Sequence, residues 1–192
     1  MNILLTGGAG YIGSHTYVAL LEAGYTPVIL DNFANSQPEV LNRLERITGQ
    51  PVICERGDVQ DRPFVEAVLR RHDIGAVLHF AARISVAESV EQPALYYREN
   101  FGETLALAET ALACGIGAFV LSSTAAVYGN GDGRPLDRPR RHPQAHAAGQ
   151  HRCRHRHAGA LVFQSEGSPN LGSAFHVRQR KRSLCRARWC FV

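Results

Sequence analysis

Seven residues near the start of the chain, Gly7-Gly8-Ala9-Gly10-Tyr11-Ile12-Gly13, restrict its fold more than any other feature. They join a short apolar run, residues 2–6, to a segment, residues 11–23, that carries apolar side chains at Ile12, Val18, Ala19, Leu20 and Leu21. A strand running through a tight glycine turn into a helix is the context in which such glycines carry meaning. Gly7 permits the turn, Gly10 lets the backbone approach a pyrophosphate, and Gly13 lets helix and strand pack closely. The free N–H groups at the helix start then face a phosphate.

The alternation continues beyond this turn. Strands are expected at residues 26–30, 51–55, 76–80 and 118–122, and helices at 38–47, 62–71 and 93–114. Apolar strands separated by helices indicate a parallel sheet covered on both faces. Right-handed crossovers favour the strand order 3-2-1-4-5. The expected fold is therefore α/β, a Rossmann-type doubly wound sheet, truncated after its fifth strand. Residues 1–137 are read as a dinucleotide-binding domain.

Asp31 closes the second strand, 18 residues after Gly13. A carboxylate there accepts hydrogen bonds from the adenosine ribose and repels a 2′-phosphate, so NAD is expected rather than NADP. The lesser alternative is a cap for a helix or for the loop that follows. Asp58, after the third strand, reads as an adenine-facing carboxylate or as a cap for the next helix.

Beyond residue 137 the pattern stops. Residues 1–137 carry a net charge of −7, whereas residues 138–192 carry +11 and six of the nine histidines. This Arg/His-rich segment shows neither helical nor strand periodicity, apart from one strand-like run at residues 160–163, and no domain is assigned to it. His151, Cys153, His155 and His157 alternate, but no ligand spacing known for zinc appears, so no metal is expected. The basic run Arg178-Gln179-Arg180-Lys181-Arg182 lacks a recognition module, so nucleic acid is not the expected partner. No stretch approaches the ~20 apolar residues of a membrane span. Five scattered cysteines imply no disulfide framework, and the expected location is the cytoplasm.

Several motifs together carry a family resemblance. Residues 7–15 (GGAGYIGSH) resemble the extended short-chain dehydrogenase/reductases. Asp31-Asn32-Phe33-Ala34-Asn35-Ser36 is similar to the loop of the UDP-glucose 4-epimerases in particular. His79-Phe80-Ala81-Ala82, Glu88-Ser89-Val90, Tyr96-Tyr97 with Asn100, and residues 122–129 (SSTAAVYG) match in order and spacing. The resemblance covers residues 1 to about 136. It implies contacts to NAD from Gly7, Gly10, Tyr11, Ile12, Gly13, Asp31, Asn32, Asn35, Ser36, Asp58, Val59, Phe80, Ala81, Ala82, Asn100 and Ser122. It also implies that Thr124 holds the 4′-oxygen of the sugar while UDP-glucose and UDP-galactose are interconverted through oxidation and reduction at C4. Such relatives are homodimers.

The resemblance also shows what this chain lacks. The family uses a Tyr-x-x-x-Lys pair about 25 residues beyond Thr124, with the Lys one helical turn from the Tyr to lower its pKa. Here the last tyrosine is Tyr128, the one lysine is Lys181, and Gly149 and Cys153 lie near where the pair would fall. Ile84 stands where some relatives place a lysine. The segment after residue 137 reads as the product of a shifted reading frame, lost near residues 131–138, and the chain is expected to be catalytically impaired. The alternatives are a sugar-nucleotide dehydratase or reductase, which lacks the Asp-Asn…Asn-Ser loop, and a non-enzymatic NAD-binding remnant whose basic tail binds polyanions.

Overall fold

The computed structural model describes residues 1–122 and the backbone of residues 160–164. Strands and helices alternate as β1 (Asn2–Thr6), α1 (Tyr11–Glu22), β2 (Thr26–Asp31), α2 (Glu39–Thr48), β3 (Cys54–Arg56), α3 (Arg62–Arg71) and β4 (Ile74–His79). Then come α4 (Val86–Glu91), α5 (Pro93–Tyr96), a π-helical stretch (Tyr97–Glu103), α6 (Thr104–Ala113), β5 (Ala118–Ser122) and β6 (Ala160–Gln164). The sheet order is β3-β2-β1-β4-β5-β6. The first five strands pair in parallel, giving the expected 3-2-1-4-5 order.

The two faces of the sheet can be read from β1. Ile3 and Leu5 pack with Tyr17, Leu20 and Leu44, under α1 and α2. Leu4, between them, packs with Val65, Val68, Leu69 and Leu107, under α3 and α6. All three β1 side chains are fully buried. Burial of one such aliphatic side chain is worth about 1.5–3 kcal/mol. A strand buried on both faces explains why the segment is apolar without alternation.

Beside shifts of one or two residues at other ends, four larger differences from the sequence expectation appear. The strand after α2 is shorter than residues 51–55. There Val52 N–H donates to Glu45 Oε1 at 3.1 Å, and only Cys54–Arg56 joins the ladder. A six-residue helix, α4, forms at Val86–Glu91, capped by Ser85, whose hydroxyl accepts from Glu88 N at 3.3 Å. The helix expected over 93–114 contains the π stretch at Tyr97–Glu103. Finally, the sheet has six strands rather than five. The strand-like run near residue 160 pairs antiparallel with β5, Ser122 opposite Ala160 and Ala118 opposite Gln164. An unpaired β5 edge offers N–H and C=O groups to any extended segment, and β6 takes them.

Candidate nucleotide site

The C-terminal ends of β1, β2, β3 and β4 meet at one edge, where ligands of doubly wound sheets bind. Gly7 follows β1 with φ of +67°. A Cβ on it would lie 2.6 Å from Ala81 N and 2.8 Å from Ala81 Cα, so only glycine fits between the turn and the loop after β4. Gly13 is constrained differently. A Cβ there would come within 2.5 Å of Gly7 O and 2.6 Å of Gly8 Cα, so the first turn of α1 lies directly on the glycine turn. Gly10 caps α1 without a side-chain hydrogen bond, and no acidic residue occupies the first turn. Tyr11 and Ile12 follow, 75% and 40% exposed. The uncapped helix start is thus open to an anion.

Asp31 ties this turn to the rest of the site. Its carboxylate is buried. Oδ2 accepts from Ala9 N at 2.9 Å, and Oδ1 accepts from Phe33 N and from Ser36 Oγ, both at 2.9 Å. One carboxylate therefore fixes the glycine turn and the loop after β2 together. The backbone contributes as well: Gly7 N donates to Leu30 O at 2.9 Å and Gly57 N to Asp31 O at 3.2 Å. Both readings of Asp31 concern the same oxygens, and the loop-holding one is built into the fold.

Asn32 spans to the neighbouring loop, donating from Nδ2 to Asp58 Oδ2 at 2.8 Å and accepting from Ala34 N at 2.9 Å. Asp58 Oδ1 accepts from Gln60 N at 3.0 Å, whereas the cap of α3 is Asp61, which accepts from Phe64 N. Val59 is buried in the core beside α3. Asn35 is exposed in the same loop. Cys54, in β3, has its thiol pushed up to about 11 by burial, then by Asp31 and Glu55, which makes it a poor nucleophile.

On the other side of the turn, Phe80 N donates to Thr6 O at 2.9 Å and continues the sheet into the loop. Phe80 and Ala81 are half-buried and Ala82 is exposed. Asn100, in the π stretch, grips this loop with both ends of its amide. Oδ1 accepts from Arg83 N at 2.8 Å and Nδ2 donates to Arg83 O at 3.0 Å. Beneath the loop, His79 is buried between Thr6 and Thr104. Thr104 Oγ1 donates to Asn100 O, so His79 Nε2 donates to Thr104 and Nδ1 accepts from Thr6. That is the neutral imidazole, and burial accordingly pushes His79 down to about 4.

Four features of this edge were not anticipated from the sequence. Arg83 pairs with Glu99 and Glu88, and Tyr96 donates to Glu88 at 2.8 Å. Phe33 adopts φ of +60°, and the guanidinium of Arg56 lies 5.6 Å from its ring centroid. Glu103 Oε1 is buried without a hydrogen-bond partner among the described residues. Burial, then Glu99 and Asp58, push its carboxyl up to about 7. None of these had a local signal, whereas the unanticipated helix α4 did, since Ser85-x-x-Glu88 is a capping pattern. Ser122 ends β5, half-buried. Thr124, Tyr128, the alternating histidines and the basic run lie outside the described residues. Among the described residues, no helix is long and apolar enough to cross a membrane.

Comparison with known proteins agrees with this geometry. The model of the NAD dependent epimerase/dehydratase family matches residues 3–159. The UDP-glucose 4-epimerase of Mus musculus is 41% identical over 191 residues, covering 96% of this chain and 49% of that protein. That of Rhizobium meliloti is 48% identical over 136 residues, covering 71% of this chain and 39% of that protein. The chain thus spans about half the length, or less, of these curated relatives. The match to the mouse protein extends into residues 138–192. A crystal structure of the Stenotrophomonas maltophila UDP-glucose-4-epimerase with bound NAD superimposes with a TM-score of 0.68 at 45% identity, covering 71% of this chain and 40% of that one. The Bifidobacterium longum enzyme, in complex with NAD+ and UDP, gives 0.67 at 40% identity, covering 71% and 41%.

Proposed function

This chain belongs to the NAD dependent epimerase/dehydratase family, and from that premise we propose that it is the NAD-holding part of a UDP-glucose 4-epimerase. The observation that carries the proposal is the hydrogen bond from Ala9 N to the Asp31 carboxylate, which joins the phosphate-facing turn to the ribose-facing strand end. The residues suit the cofactor. The cradle at Gly7 and Gly13 has no room for a Cβ, and the start of α1 carries no side-chain cap.

In this reading the N–H groups of Tyr11 and Ile12, reached past Gly7 and Gly10, hold the pyrophosphate. Asp31 takes the adenosine ribose with the acceptor capacity left beyond its three protein donors. Asn32, Asn35 and Ser36 line the same loop, and Asp58 with Val59 faces the adenine. Phe80, Ala81, Ala82 and Ser122 line the nicotinamide side, and Asn100 acts mainly by holding the loop at Arg83. Thr124 would hold the sugar 4′-oxygen. When bound, NAD supplies the hydride acceptor and donor for C4 of the sugar.

The base for such a reaction is missing. The sequence holds no Tyr-x-x-x-Lys pair, the arrangement that lowers a tyrosine pKa to draw the 4′-hydroxyl proton, and we infer that the chain does not turn over UDP-galactose. We also infer that residues after about 131–138 have left the ancestral reading frame, a reading that the 136-residue match to the Rhizobium meliloti protein supports and the longer mouse match opposes, and that the protein is cytoplasmic and pairs with a second copy. Exposed Phe101 and Leu105 would suit a second apolar surface such as a partner copy. The test is an epimerase assay of the full chain with UDP-galactose and NAD, alongside an NAD-binding measurement. Binding without turnover is expected. Turnover at rates typical of enzymes would overturn the inactive reading, and absence of binding would overturn the cofactor reading. Sequencing the coding DNA from codon 125 onward checks the frame. A Tyr-x-x-x-Lys in another frame supports its loss, and the same tail in an independent isolate contradicts it.

A further inference from the structure

The loop after β4 forms a wall of the glycine cradle. Past the bond from Phe80 N to Thr6 O at 2.9 Å the chain leaves the sheet, and residues 80–85 belong to no helix or strand. Within this loop Ala81 lies against Gly7, its N and Cα at 2.6 and 2.8 Å from where a Cβ on Gly7 would stand. Where the loop sits therefore sets the shape of the turn that faces a phosphate. Its position has to come from side chains, because no ladder of backbone bonds fixes it.

Arg83 gathers those side chains. Asn100 bonds its backbone at both N–H and C=O, at 2.8 and 3.0 Å. Its guanidinium donates from Nε to Glu99 Oε2 and from Nη1 to the Glu88 carboxylate, at 3.2 Å from Oε1 and 3.4 Å from Oε2. Glu88 Oε2 in turn accepts from the hydroxyl of buried Tyr96 at 2.8 Å. One loop residue is thus tied to α4, α5 and the π-helical stretch. Glu99 and Asn100 are consecutive in that stretch, one holding the side chain of Arg83 and the other its backbone. Single π turns are common at functional sites. The Arg83 and Glu99 side chains are 36% and 19% exposed, so the pair is less screened than a surface ion pair. Two carboxylates engage the guanidinium, and its influence on a ligand runs through the loop.

We propose that Arg83 is a positioning residue of the nucleotide site: by bridging Glu99 and Glu88 it holds the loop after β4 against the glycine turn, so that NAD meets a wall already in place. This rests on the cofactor reading above. A loop that is in place only part of the time lowers the apparent affinity by that fraction, because the ligand must order it on binding. A planar fork suits the task better than a lysine, since it reaches two carboxylates on different elements in a fixed geometry.

Two measurements on the full chain test this in the wild type, Arg83→Met, Arg83→Lys and Glu99→Gln, each checked for fold by circular dichroism. The first is calorimetric titration with NAD. Arg83→Met should weaken binding about tenfold, and Arg83→Lys and Glu99→Gln less, because each keeps part of the bridge. The second is hydrogen exchange without cofactor, where the amides of residues 81–85 should exchange about tenfold faster in Arg83→Met while those of β1 and β4 keep their protection. Arg70→Met is the control. Arg70 pairs with Glu66 on the exposed face of α3, and its loss should change NAD affinity by less than about twofold. Folded Arg83 and Glu99 variants that bind NAD as the wild type does overturn the proposal. So does weakened binding with unchanged exchange in the loop. A folded wild type that binds no NAD overturns the cofactor reading, and this inference with it.

Discussion

Replacing Gly13 with alanine should destabilise the protein, although glycine-to-alanine changes in helices ordinarily stabilise. The expected gain from reduced backbone freedom is about 0.5–1 kcal/mol. Against it stands a Cβ placed 2.5 Å from Gly7 O, 2.6 Å from Gly8 Cα and 2.9 Å from Gly8 C. Carbon contacts are comfortable at about 3.5–4.0 Å, so α1 must withdraw by roughly 1 Å. All three obstructing atoms are backbone, and no side chain can rotate away. Overpacking of this kind costs about 1–3 kcal/mol, here at its upper end because the turn is anchored to β2. The net loss is about 2 kcal/mol, or a fall in Tm of roughly 4–8 °C for a chain of this size. Gly102 is the internal control. A Cβ there meets nothing closer than Tyr97 O at 3.9 Å, so Gly102→Ala should stabilise by about 0.5–1 kcal/mol. Thermal and urea unfolding of both variants measures the pair. A Gly13→Ala protein as stable as the wild type, or more stable, would refute the close approach of helix and turn.

Three further outcomes follow from the same contacts. Asp31→Asn presents an amide N–H₂ to donors that now meet oxygen, and urea unfolding should show a loss of about 1–3 kcal/mol. His79 is held neutral with its folded pKa depressed from 6.5 to about 4, so its contribution is present above pH 6.5 and is lost as pH falls toward 4. The loss amounts to about 3 kcal/mol over that window, and His79→Gln should flatten the acid limb of a stability–pH curve. Glu103 acts with the opposite sign. Its folded pKa is raised from 4.5 to about 7, so its contribution is complete below pH 4.5 and is lost as pH rises through 7. Glu103→Gln should therefore be more stable than the wild type above pH 7, read by urea unfolding at pH 8.

How much of this was legible depended on whether the sequence signal was local. Gly7 and Gly13 announced the turn because positive φ and close approach both demand the same small residue. β1 was legible because burial on both faces leaves an unbroken apolar run. The Asp31–Ala9 bond was not, since a carboxylate at a strand end reads alike whether it holds a ligand or its own loop. The approach of Arg56 to Phe33 and the grip of Asn100 on Arg83 depend on how segments 23 and 17 residues apart in sequence meet. Glu103 was invisible because its burial, and the approach of Asp58 and Arg83 from other segments, come only with the fold. β6 was legible as a strand but not as a partner of β5, because periodicity identifies a strand without saying which edge it joins.

The central claim is that the turn at residues 7–13, joined to Asp31, is a working dinucleotide site. The most direct measurement is equilibrium binding of NAD to the full chain, with Gly13→Ala and Asp31→Asn measured beside it. One saturable site per chain is expected, markedly weakened in both variants while circular dichroism shows the sheet and helices retained. A wild-type chain that is folded and binds no NAD, or binds it no better than the two variants, would contradict the account.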